Sequence, residues 1–169
     1  NYRAFYNALF YRFALKKVRK SLHNLSDVNE IINRIHLLHE NSPRKWGSMN
    51  VSQMMVHCAK ILEIPNKNLQ LKHPHFLIRL IGVATKYELR IFNNGIPHNM
   101  PTFKEVIVNE TCDFLESKKY LLATLDEYVW NASQNNLPKT HQLFGKMTKF
   151  DWGFLEYKHL HHHLKQFNV

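Results

Sequence analysis

The stretch Thr148-Lys-Phe-Asp-Trp-Gly-Phe-Leu-Glu-Tyr-Lys-His-Leu-His-His-His-Leu-Lys-Gln-Phe-Asn-Val169 decides how this chain folds. Thr148 with Asp151 resembles a capping box, with Asp in place of the usual Glu or Gln, and marks a helix start. At about 100° per residue, Trp152, Leu155, Glu156, His159, His163 and Gln166 fall on one side of that helix. His162 falls near the polar edge with Lys158, and His161 points elsewhere. The inward stripe therefore mixes apolar side chains with two histidines four residues apart. Residues so spaced lie one above the other, roughly 5–6 Å between Cβ atoms. Two imidazoles can converge on one metal ion from that separation.

Working outward, the same periodicity recurs upstream. Ser26 is the expected N-cap of a helix that carries Val28, Ile31, Ile32, Ile35 and Leu38 to about Glu40. Asn41-Ser-Pro43 breaks it, and Trp46-Gly-Ser-Met49 is a short connector. Asn50 caps a second helix to about Ile64, with Met54, His57, Ile61 and Ile64 on one face. A further helical segment spans Phe76 to Phe92, and Pro97 and Pro101 keep the next stretch extended. A third main helix runs from about Thr111 to Trp130 with Phe114, Leu121, Leu125 and Tyr128 inward, and 134–146 reads as loop. The expected fold is all-α: four main helices, an extra segment in a long crossover between the second and third, and an N-terminal extension.

Composition fits that fold. The 169 residues suit one domain, and 44% hydrophobic with 21% charged content argues against disorder. Five glycines suit helices better than a turn-rich sandwich. Cys58 and Cys112 form no CxxC pair and fit a reducing compartment, so the expected location is cytoplasmic. No apolar run approaches the ~18 residues of a membrane span.

The net charge of +10 is unevenly placed. Residues 1–22 hold Arg3, Arg12, Lys16, Lys17, Arg19 and Lys20 with no acidic residue, which leaves the rest of the chain at a net of +4. Phe5, Leu9 and Phe13 recur at helical spacing there, so residues 1–22 read as a basic amphipathic segment and 23–169 as the domain. Such a segment docks on its own domain, on a partner subunit such as a second copy in a homodimer, or on an anionic membrane surface. Nucleic acid is disfavoured as a partner, since the charge sits at one end and no helix-turn-helix stands out.

Twelve histidines make chance pairs common, and HxxxH alone is a weak signal. His57 strengthens it, because a third imidazole on an apolar stripe also needs a partner. His23, His36, His39, His73, His75 and His98 read as surface or loop residues, while His141 lies in a loop that could approach the bundle end as an accessory residue. Three histidines without a fourth protein ligand leave one coordination position open to water or substrate, as in catalytic zinc sites. Zinc, nickel, iron and copper all accept imidazole, with zinc or nickel the first expectation. Glu156 is the nearest carboxylate, able to orient a ligand or move a proton, or else to sit exposed beside a lysine; Gln166 shares the face as a possible accessory residue.

Asn50-Val-Ser-Gln-Met-Met-Val-His57-Cys58, preceded by Trp46-Gly-Ser-Met49, resembles the second-helix motif of the DinB/YfiT-like superfamily. Phe144-Gly-Lys-Met-Thr148, Trp152-Gly153 and the run from Tyr157 to Phe167 resemble the end of one branch, catalogued as domain of unknown function 1569. The resemblance covers about residues 20–169. It implies an up-down-down-up four-helix bundle with a three-histidine divalent-metal site at His57, His159 and His163; His161 is not carried over. Characterised relatives in the superfamily include metal-dependent transferases acting on low-molecular-weight thiols, along with hydrolases and isomerases. The implied function is a metal-dependent thiol transferase or hydrolase acting on a small molecule. The alternative is a non-catalytic metal-binding or structural module, anchored to a membrane surface by its basic end.

Overall fold

The computed structural model describes residues 19–169. The basic segment expected over residues 1–22 lies outside the described residues, except for 19–22. Five α-helices are present among the described residues: α1 (Leu25–Leu37), α2 (Val51–Glu63), α3 (Phe76–Phe92), α4 (Phe114–Ser133) and α5 (Lys149–Gln166). A 3₁₀ turn at Lys104–Val106 precedes α4, and two short strands, β1 (Thr140–His141) and β2 (Gly145–Lys146), precede α5. The fold is all-α apart from this antiparallel pair, in which Thr140 faces Lys146 and His141 faces Gly145. No helix among the described residues is long and apolar enough to cross a membrane.

Two helix starts are as the sequence predicts. Asn50 Oδ1 accepts from the Gln53 backbone N–H at 2.8 Å and Gln53 Oε1 accepts from that of Asn50 at 3.0 Å, a full capping box. Thr148 and Asp151 make the reciprocal pair at the head of α5, at 2.8 and 3.1 Å. Each cap satisfies backbone donors that the helix cannot, worth about 1 kcal/mol. Two other starts differ. Helix α1 begins at Leu25, one residue before the expected cap Ser26. Its Asp27 carboxylate accepts from the Ser21 N–H at 2.9 Å and from the Asn24 side chain at 3.1 Å, fastening the incoming chain to the first turn. Helix α4 starts at Phe114, later than expected, because Asp113 Oδ1 accepts from the Glu116 N–H at 2.9 Å.

The main core lies among α1, α2, α4 and α5, with α2 lying along α4 and α1 against α5. Ile31 and Ile35, Met54, Met55 and Leu62, Leu121, Leu125 and Tyr128, and Leu160, Leu164 and Phe167 fill it. A second cluster forms where Leu71, Leu89 and Val106 of the long connection between α2 and α4 pack on Trp152, Phe154 and Leu155 of α5. That connection sets the 3₁₀ turn against α2.

Helix α3 is turned the other way. Its buried residues Gly82, Lys86 and Leu89 share one side. The Lys86 ammonium reaches inward to donate to the Lys146 carbonyl at 2.5 Å. Gly82 meets Leu143 so closely that a Cβ there would lie 2.4 Å from Leu143 Cγ. Phe76, Leu77, Leu80, Ile81, Tyr87, Ile91 and Phe92 are exposed, and on a helical wheel they occupy the half opposite the buried stripe.

Candidate metal centre

Helix α2 and helix α5 supply three imidazoles that meet. His57, His159 and His163 each offer a ligand atom, and these atoms lie within 4.8 Å of one another. His57 Nε2 is 3.2 Å from His159 Nε2. The ring centroids of His57 and His163 are 4.9 Å apart, and those of His159 and His163 are 4.6 Å apart. A tetrahedral ion with Zn–N bonds near 2.0–2.1 Å places its ligand nitrogens about 3.3 Å apart. The group could therefore hold a metal ion.

The other nitrogens explain the orientation. His57 Nδ1 donates to the Val106 carbonyl at 2.8 Å, so the 3₁₀ turn fixes the ring and leaves Nε2 as a lone pair in the neutral imidazole. His163 Nδ1 donates to Gln166 Oε1 at 2.9 Å, and Gln166 Nε2 donates in turn to the Trp46 carbonyl at 2.7 Å. Gly47, at φ +77°, makes that chain possible, since a Cβ there would lie 2.6 Å from Gln166 Nε2. Two of the three imidazoles thus aim bare nitrogens inward while their outer N–H groups are held by acceptors, an arrangement metal-ligating histidines commonly show. Bare nitrogens facing at this distance repel unless a proton or a cation lies between them.

Electrostatics agrees. Burial holds His57 below the ordinary imidazole value. Burial, followed by the charges of His163 and His57, holds His159 well below it. Burial pushes His163 down to about 3. All three are neutral at physiological pH, the form that ligates.

His159 Nδ1 and Glu156 Oε2 are both buried without a hydrogen-bond partner. Glu156 is buried, unlike the exposed alternative considered from the sequence, and burial raises its carboxyl to about 8. Burial, and after it the nearby Glu156 carboxyl, raises both Cys58 and Tyr128.

His141 stands apart from the three. It is buried, with Nδ1 accepting from the Leu143 N–H at 2.9 Å and the Phe144 N–H at 3.3 Å, and its ring lies against Phe144 and Trp152. It closes the turn before α5. His23 also differs from its surface assignment, since its Nε2 meets the Tyr128 hydroxyl at 3.0 Å. Sequence reasoning missed a stack beside the centre, where Trp46 lies on His98 with centroids 3.8 Å apart and His162 tilts against both. The Trp46-Gly47 pair was visible, but nothing in the sequence tied it to His98. It also missed Val106, which contributes only a backbone carbonyl and so leaves no side-chain signature.

The family model described as "Protein of unknown function (DUF1569)" matches residues 16–169. The chain belongs to the DUF1569 family. The match takes in every helix described above, the histidine cluster included. No curated protein and no solved structure matches this DUF1569 chain.

Proposed function

We propose that this protein binds a divalent metal ion through His57, His159 and His163 and presents the remaining coordination position to a small molecule. The observation that carries the reading is the pair of anchored rings, His57 on Val106 and His163 on Gln166, whose free nitrogens converge with His159. Holding the outer N–H on an acceptor is the arrangement that metal-ligating histidines use, and it leaves the inner nitrogens of both rings free to converge. The position of His141, away from the group and used by its own turn, supports an open site over a closed four-ligand one. Zinc or nickel is the preferred ion, with iron or copper next.

When bound, such an ion supplies Lewis acidity and lowers the pKa of a water or thiol in its open position. The chain's own groups would do the rest. Val106 and Gln166 hold His57 and His163 in place. Glu156 stands three residues before His159 on α5, and a turn of its side chain toward His159 Nδ1 would satisfy both orphaned atoms. Trp46, His98 and His162 would form the aromatic rim against which a substrate lies. The reaction class we favour is transfer to a low-molecular-weight thiol, or hydrolysis, within a DinB-like bundle of α1, α2, α4 and α5 running up-down-down-up.

Elemental analysis of tag-free protein tests the site. Near-stoichiometric zinc or nickel is expected, lost in His163→Ala with the helical circular dichroism retained. A metal-free protein whose melting temperature ignores added Zn²⁺ and Ni²⁺ defeats the proposal. A thiol-dependent conjugation screen on the loaded protein then separates enzyme from binding module.

A further inference from the structure

Helix α3 presents a half-cylinder of large apolar side chains to solvent, with Leu80 60% and Ile81 67% exposed. Contiguous apolar surface of this kind marks a binding face rather than a random exposed residue. We propose that this face is a docking surface for an anionic lipid bilayer.

Charge selects this occupant. Residues 1–22 hold six basic side chains and no acidic one. The structure brings the end of that segment to α3: the Arg19 guanidinium donates to the Arg90 carbonyl at 2.6 Å, in the last turn of the helix. The described chain therefore begins beside the last turn of α3, and the sequence before it holds Arg3, Arg12, Lys16 and Lys17 with no acidic residue. On α3 itself Arg79 is exposed, and so is Glu88, the one acidic residue of the helix, which accepts from Asn94 at 2.7 Å; the excess of positive charge comes from the residues before 23. A second copy docked on this face would bring two basic segments together, at a repulsive cost. Anionic headgroups would neutralise them while the acyl boundary receives Leu80, Ile81 and their neighbours. Attachment of this kind lies on the surface and needs no spanning helix.

Co-sedimentation of the full chain with phosphatidylserine–phosphatidylcholine vesicles, against phosphatidylcholine alone, is the test. The wild type should pellet with the anionic vesicles, less so in high salt. The double variant Leu80→Glu, Ile81→Glu should bind about tenfold more weakly while keeping its melting temperature and its metal content. Absence of wild-type pelleting overturns the proposal, as does pelleting that the double variant leaves unchanged. A wild-type dimer by light scattering that the double variant splits overturns it in favour of a second copy.

Discussion

Helices α3 and α5 invert the usual relation between composition and burial. Helix α3 is the more apolar, yet only three of its seventeen residues are buried, and one of those is Lys86. Helix α5 carries four histidines, Glu156 and Asp151, yet eleven of its eighteen residues are buried. The difference lies in the neighbours. Helix α5 is enclosed by α1, α2 and the long connection, where His57 of α2 meets His159 and Val106 packs on its apolar side chains. Among the described residues, helix α3 meets the rest mainly through the strand pair, and nothing there covers its apolar half. Apolar content says that a helix wants a partner surface; it does not say that the chain itself provides one.

The sharpest way to break this comparison is to remove the reason for α5's buried polarity. His57→Ala should abolish stoichiometric metal binding. With it should go the stabilisation by saturating metal, about 4 kcal/mol at a thousandfold excess over Kd, read as the loss of the zinc-dependent rise in melting temperature. An unchanged rise would place the metal elsewhere.

Glu156→Gln comes next, with opposite signs in two states. The folded carboxyl titrates near 8 against an ordinary 4.5. The metal-free fold therefore keeps a proton that the unfolded chain releases, and loses stability as pH rises from about 4.5 to about 8. Metal-free Glu156→Gln should be more stable than wild type by a few kcal/mol at pH 8, with the gap closing toward pH 4.5. Its metal affinity should fall about tenfold, because a neutral amide is a poorer acceptor for His159. Denaturant melts at both pH values, with competition titration against a chelator, check both signs. A merely structural Glu156 would leave the affinity unmoved.

Gly47→Ala should cost about 1–2 kcal/mol in stability through its positive φ and crowding of Gln166. A weaker metal site should accompany it, since His163 loses its anchor; equal affinity in a calorimetric titration would detach Gln166 from the centre. The smallest effect is expected on α3, where Leu80→Glu with Ile81→Glu should leave stability within about 0.5 kcal/mol. A large loss in thermal melts would show that the exposed face is covered by the chain itself.

Much of this architecture is legible in the residues. The caps Asn50 and Thr148, the ends of α3, and the shared face of His159 and His163 follow from short-range rules of periodicity and capping. The sequence puts the start of α1 late because Ser26 has the residue type of an N-cap and local rules do not show what Asp27 bonds to. In the fold that carboxylate instead gathers N–H groups from the preceding turn. The sequence presents 134–146 as loop, because the two-residue strands within it carry no alternation to detect.

What the sequence alone determined is which side chains share a face, since helical spacing is a local property of consecutive residues. It therefore selected two imidazoles from a cluster of four and put His57 on the apolar stripe of another helix. The tertiary structure decided which way each face points and what holds each ring. The Val106 carbonyl on His57, the Trp46–Gln166–His163 relay and the outward turn of α3 all join residues far apart in the chain. Such pairings depend on how helices pack and on where a connection crosses, and no window of sequence contains that information.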